Sequence, residues 1–156
     1  MPAPDPLDDA EDHGLIRALG YGGLTPFVML AALLWLVAPN LQGFVAIALA
    51  TYSALIAAFL GGIHWGVGWL AGLRRSSQPH AQRAHFLWGV VPSLLAWPGL
   101  LMPPHAGLAW LGFVLMLSYL ADRTLYAHAG LQRWLTLRFR LSAVASLSCF
   151  IGAGAL

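Results

Sequence analysis

The chain contains no lysine, a single cysteine, and only one acidic residue after its twelfth position. Charged residues fill 9% of its 156 positions, where a soluble domain carries about 25%. With 59% hydrophobic residues, that scarcity excludes an ordinary water-soluble core and places the chain in the membrane class. The lone Cys149 excludes an internal disulfide and leaves the redox compartment open. No CxxC, HxxxH or HExxH spacing occurs, so no metal ligands are assigned and no structural or catalytic metal is expected. Serine, histidine and aspartate are present without a Gly-x-Ser-x-Gly elbow, so no catalytic residues, no enzyme and no cofactor are expected. Alternating ten-residue strand segments are missing too, which leaves helices as the spanning structure. The N-terminus lacks a basic start, and no small-x-small site follows the first apolar run, so no cleavable leader is expected.

What is present is segregated. Asp5, Asp8, Asp9, Glu11 and Asp12 crowd a Pro-rich stretch, residues 1–13, which reads as a disordered acidic tail. Residues 14–156 then form one membrane domain. Five apolar segments, at about 15–38, 41–73, 85–102, 107–128 and 136–156, are each long enough to cross ~30 Å of hydrocarbon. The expected fold is all-α, a polytopic transmembrane bundle of five helices in contact with the lipid bilayer. Arg17, Arg74, Arg75, Arg83, Arg133, Arg138 and Arg140 fall on one side of that arrangement, and the opposite connections carry none. The positive-inside rule therefore puts the N-terminus in the cytoplasm and the C-terminus outside. Arginines at helix ends meet lipid headgroups, so the basic balance does not imply nucleic acid.

The second segment holds the densest signal, Phe59-Leu60-Gly61-Gly62-Ile63-His64-Trp65-Gly66. Gly61, Gly62 and Gly66 read as a small-residue surface where another helix approaches closely, and Gly68 with Gly72 repeats the spacing. Ser142 with Ser146 offers a similar face on the fifth segment. Trp35, Trp88 and Trp134 suit interfacial belts; Trp65, Trp69, Trp97 and Trp110 could belt, pack or line a pocket, with the belt as the default reading.

His64 lies ten residues before Arg74, or roughly 15 Å along a helix axis. Asp122 and Arg123, Thr25-Pro26, Pro92-Ser93, and Ser142 or Ser146 fall at comparable depth, which defines a polar layer within the bilayer. An unpaired carboxylate there costs about 2.5–3.5 kcal/mol on insertion scales. Asp122 shares its helix face with Tyr119 and Tyr126, while the adjacent Arg123 points about 100° away. Two readings stand. In one, Asp122 is a structural anchor held by tyrosine hydroxyls and an arginine; in the other it serves a proton relay or a ligand. His64 is the partner expected to face Asp122. The competing arrangement has Arg123 neutralising Asp122 through a tyrosine and His64 bonding Ser93. His85 and His128 lie near the cytoplasmic ends, at headgroup level or in solvent.

These same stretches carry a family resemblance. Tyr52-Ser53-Ala54 leading into Phe59–Gly66, Val91-Pro92-Ser93-Leu94-Leu95-Ala96-Trp97, Tyr119-Leu120-Ala121-Asp122-Arg123 and Trp134–Leu141 resemble segments two to five of the transmembrane protein 69 family. The resemblance spans roughly 20–150 and implies a small polytopic protein of the bacterial cytoplasmic (inner) membrane. It implies no activity. The leading expectation is a structural, assembly or accessory subunit of a membrane complex, with other membrane subunits or a second copy as partners. The alternatives are a binder or carrier of a porphyrin, quinone or lipid, and a proton pathway through His64, Asp122 and Arg123.

Overall fold

A computed structural model describes the backbone of residues 6–73, 79–128 and 134–156, and side chains over 14–70, 72, 82–126 and 134–156. The Arg74–Arg75 and Arg133 connections and the His128 side chain lie outside the described residues. Among the described residues, six helical segments run in order: α1 Pro6–Gly22, α2 Thr25–Leu36, α3 Pro39–Leu73, α4 Pro79–Gly99, α5 Pro104–His128 and α6 Leu135–Ala153. No strand occurs among the described residues.

Two departures from the expected segments have local causes. Residues 6–13, expected as disordered tail, form the start of α1. Pro6 at the first helical position gives up no needed N–H. The expected first segment is also divided. Pro26 has no N–H for the Gly22 carbonyl and crowds it, so the helix stops and restarts. The gap closes as a tight turn, with Gly23 N on the Leu19 carbonyl at 2.9 Å and Leu24 N on that of Tyr21 at 3.0 Å. Tyr52 of α3 donates its hydroxyl to the Gly23 carbonyl at 2.8 Å and pins the turn to the bundle.

Among the described residues, four stretches are long and apolar enough to cross a membrane: Gly14–Leu36 (α1 with α2), Pro39–Leu70, Pro104–Tyr126 and Leu135–Ala153. The remaining helix, α4, is less apolar because Gln82, Arg83 and His85 occupy its early turns, and it carries Pro92 and Pro98 internally. It packs antiparallel on α3, with Gly61 against Gly89, Gly68 against Phe86 and Gly72 against Gln82. Indole N–H of Trp110 on α5 donates to the Leu95 carbonyl at 2.7 Å and fixes α5 beside the second proline of α4.

An apolar core fills one end of the bundle. Leu34 of α2, Leu49 of α3 and Leu108 of α5 converge on Gly152 of α6, where a Cβ would stand 2.9 Å from both Leu34 and Leu49. Phe27, Leu111, Val114, Leu115 and Ala145 continue it toward the other end, where buried side chains become polar.

The glycine surface of α3 differs from expectation. Gly61 is buried, and a Cβ on it would run into the Gly89 backbone carbonyl. Gly62 and Gly66 are exposed, with open space around both. The inward face of α3 follows Ser53, Ala57, Gly61, His64 and Gly68 at helical spacing, so Gly62 and Gly66 are rotated off it. Gly61→Ala should therefore destabilise the protein by about 1–3 kcal/mol through overpacking. Gly62→Ala and Gly66→Ala should be neutral or slightly stabilising, since alanine is the better helix former. Thermal unfolding in detergent checks this; equal losses at all three positions would contradict a contact confined to Gly61.

Candidate functional site

The polar end of the core is built by four helices. His64 sits one turn beyond Gly61 on the same face of α3, so the close approach of α4 at Gly89 delivers His85, one turn earlier on α4, against it. Asp122 comes from α5 and Arg138 from the first turn of α6. All four are buried: His64 is 0% exposed, Asp122 1%, His85 4% and Arg138 9%.

They form one hydrogen-bonded line. His85 Nδ1 lies 3.0 Å from His64 Nδ1, and the two rings stack with centroids 5.2 Å apart. His64 Nε2 lies 2.7 Å from Asp122 Oδ1. Arg138 Nε donates to Asp122 Oδ2 at 2.6 Å, and Arg138 Nη1 donates to Ser142 Oγ at 2.7 Å. Tyr126, one turn after Asp122, covers His64 with its ring at 5.1 Å. Both carboxylate oxygens are thus occupied, each by a different helix.

This geometry restricts where protons sit. Asp122 paired with Arg138 is an ionised acceptor, so His64 Nε2 carries hydrogen and donates to it. Only one proton fits between the two Nδ1 atoms. With His64 neutral, its Nδ1 is bare and accepts from His85 Nδ1–H. With one added proton, His64 donates from both nitrogens and His85 accepts, now carrying its hydrogen on Nε2. The line can switch between these states without moving a heavy atom. With both imidazoles neutral, the charges of Asp122 and Arg138 cancel, which removes most of the cost of placing them in a bilayer.

The residues singled out from sequence divide sharply. His64 and Asp122 are brought into contact. Arg123 is exposed, turned about 100° from Asp122 along α5, and the carboxylate takes Arg138 instead. Tyr119 is half-buried and packs on Phe139 at 5.3 Å. Ser93 donates to the Val90 carbonyl of its own helix at 2.8 Å, so it does not serve His64. His85 and Arg138 were expected at headgroup level, and both lie in the core. A sequence signal for Arg138 did exist: Ser142, Ser146 and Cys149 follow it at helical spacing and mark the buried face of α6. Along that face Cys149 Sγ and Ser53 Oγ of α3 are 3.2 Å apart, and the Ser146 hydroxyl is buried without a partner.

The chain belongs to a family of proteins of unknown function, DUF3429, whose model matches residues 13–154. No curated protein and no solved structure matches it. Membership covers the whole bundle and assigns no role to the buried line.

If the line is energetically continuous, its members will not behave independently. His64→Ala and Asp122→Ala should each destabilise the protein, and the double variant should lose less than their sum by about 0.5–2 kcal/mol. Arg138→Ala should couple to Asp122→Ala in the same way, while Arg123→Ala adds no coupling. Double-mutant cycles by thermal denaturation in detergent read these terms. Strict additivity for both His64 and Arg138 would mean that Asp122 holds neither.

Proposed function

We propose that this is a multi-pass protein of the bacterial cytoplasmic membrane, with a cytoplasmic N-terminus and an outside C-terminus, that takes up and passes a proton through His85, His64 and Asp122. It performs no chemical conversion of a substrate. The observation that carries the reading is the 3.0 Å contact between two buried imidazole Nδ1 atoms, which leaves room for one proton between them, beside a carboxylate. A proton arriving at His85 Nε2 lets the shared proton pass to His64, and the imidazolium so formed rests against Asp122. The Nε2 proton of that imidazolium passes on to Asp122 Oδ1, and the polar groups of Ser142, Ser146, Cys149 and Ser53 lie farther along the bundle, beyond Arg138. The arginines left outside the core, Arg17, Arg83, Arg123 and Arg140 among the described ones, support the orientation. The resemblance to the transmembrane protein 69 family supports the membrane location.

A structural or accessory-subunit role is the second reading. It is favoured by the way the same contacts tie α3, α4, α5 and α6 together.

Proton flux separates the two. Protein reconstituted in vesicles with an enclosed pH indicator and an imposed potassium diffusion potential should show flux above protein-free vesicles. His85→Gln should return that flux to the protein-free level while the fold persists by circular dichroism. Identical acidification for wild type, His85→Gln and empty vesicles would overturn the proton reading and leave the structural one.

A further inference from the structure

A cavity of about 550 Å³ opens beside the buried line, between α1, α2, α3, α5 and α6. Its size falls within the range of small-molecule sites, about 300–1,000 Å³. The walls are almost entirely apolar, formed by side chains such as Leu19, Phe27, Phe59, Leu137 and Leu141. Arg138, Ser142 and Tyr126 also line it, so the polar line forms part of its wall.

Arg138 is incompletely satisfied there. Its Nε is taken by Asp122 and its Nη1 by Ser142, but Nη2 is buried without a partner. A guanidinium N–H group withheld from both water and an acceptor is costly, and an incoming oxygen would relieve that cost. The charge balance selects which oxygen. Arg138 is already neutralised by Asp122, so a carboxylate or phosphate would leave net negative charge in a low-dielectric site. A neutral carbonyl adds an acceptor without adding charge. Phe27, Phe59 and Tyr126 contribute aromatic rings to the wall, and the remaining walls suit a hydrocarbon tail.

We infer that this cavity is a binding site for a lipophilic quinone, a planar carbonyl head on an apolar tail, with one carbonyl oxygen accepting from Arg138 Nη2 once that nitrogen, enclosed in the cavity wall, turns into the cavity. The inference rests on the position and bonding of Arg138 with both imidazoles neutral, and it does not require that the line pass protons.

The test uses full-length protein in nanodiscs of saturated phosphatidylcholine free of quinone, with quinone binding read from quenching of tryptophan fluorescence and the two non-quenching probes read by their competition against it. Three probes are compared: a short-chain benzoquinone, its hydrocarbon tail without the head, and a fatty acid of equal chain length. The quinone should quench saturably and bind at least about tenfold tighter than either other probe, the difference expected of one hydrogen bond to a charged group. Gly20→Leu places a side chain against Leu141 within the cavity, leaves Arg138 untouched, and should abolish saturable quenching in protein of unchanged helicity. Arg138→Lys keeps the charge, removes Nη2 and should weaken the quinone toward the level of its tail. Equal binding of the quinone and its headless tail would mean a groove filled by acyl chains and would overturn the inference. So would tighter binding of the fatty acid, or saturable quenching that survives Gly20→Leu. Because this assay reads binding alone, absent proton flux with intact quinone binding would remove only the proton reading.

Discussion

The structure depends on how one carboxylate is neutralised. Asp122 is the only acid in the chain beyond the N-terminal stretch, and it is 1% exposed in the middle of a membrane bundle. Left alone it would oppose insertion of α5 by several kcal/mol. It is accommodated because each oxygen has a dedicated donor from a different helix, His64 Nε2 at 2.7 Å and Arg138 Nε at 2.6 Å. Those two contacts fix the relative rotation of α3, α5 and α6, and the His64–His85 contact brings in α4. Between transmembrane helices no hydrophobic effect distinguishes a neighbour from lipid, so such contacts and close packing set the arrangement.

Glycine placement makes the line geometrically possible. The buried pair Gly61 and Gly89 lets the backbones of α3 and α4 approach until a Cβ on either would collide. At any wider separation, two imidazoles one turn away could not stack at 5.2 Å. At the opposite end Gly152 admits leucines from three helices. The bundle is thus closed by packing at one end and by charge at the other. The looser seat of α1, interrupted before Pro26, leaves space beside Arg138.

Much of this was legible in the sequence, for reasons that can be named. Long apolar runs bounded by Pro and Gly declared the helices, because a bilayer permits few alternatives. His64 and Asp122 stood out because ionisable groups are expensive at that depth, and counting residues from the helix ends placed them level. The same counting misplaced Arg138. Arginine near a helix end normally extends its long side chain to the headgroups, and that prior outweighed the periodic Ser142, Ser146 and Cys149 face that points inward. His85 was lost for a related reason: its depth depends on how closely α4 lies on α3, which only the pairing of Gly61 with Gly89 reveals. Gly62 and Gly66 drew notice through their spacing, yet a four-residue interval identifies a face without saying whether that face is occupied.

Whether His85, His64 and Asp122 form one hydrogen-bonded line within the bundle is read most directly by nuclear magnetic resonance of protein in lipid with isotope-labelled histidine nitrogens. A nitrogen–nitrogen coupling through the hydrogen bond between His64 Nδ1 and His85 Nδ1 is expected, with its loss in Gly89→Leu, where α4 is pushed from α3. Two histidines with independent, uncoupled nitrogen signals in the wild-type protein would contradict that line.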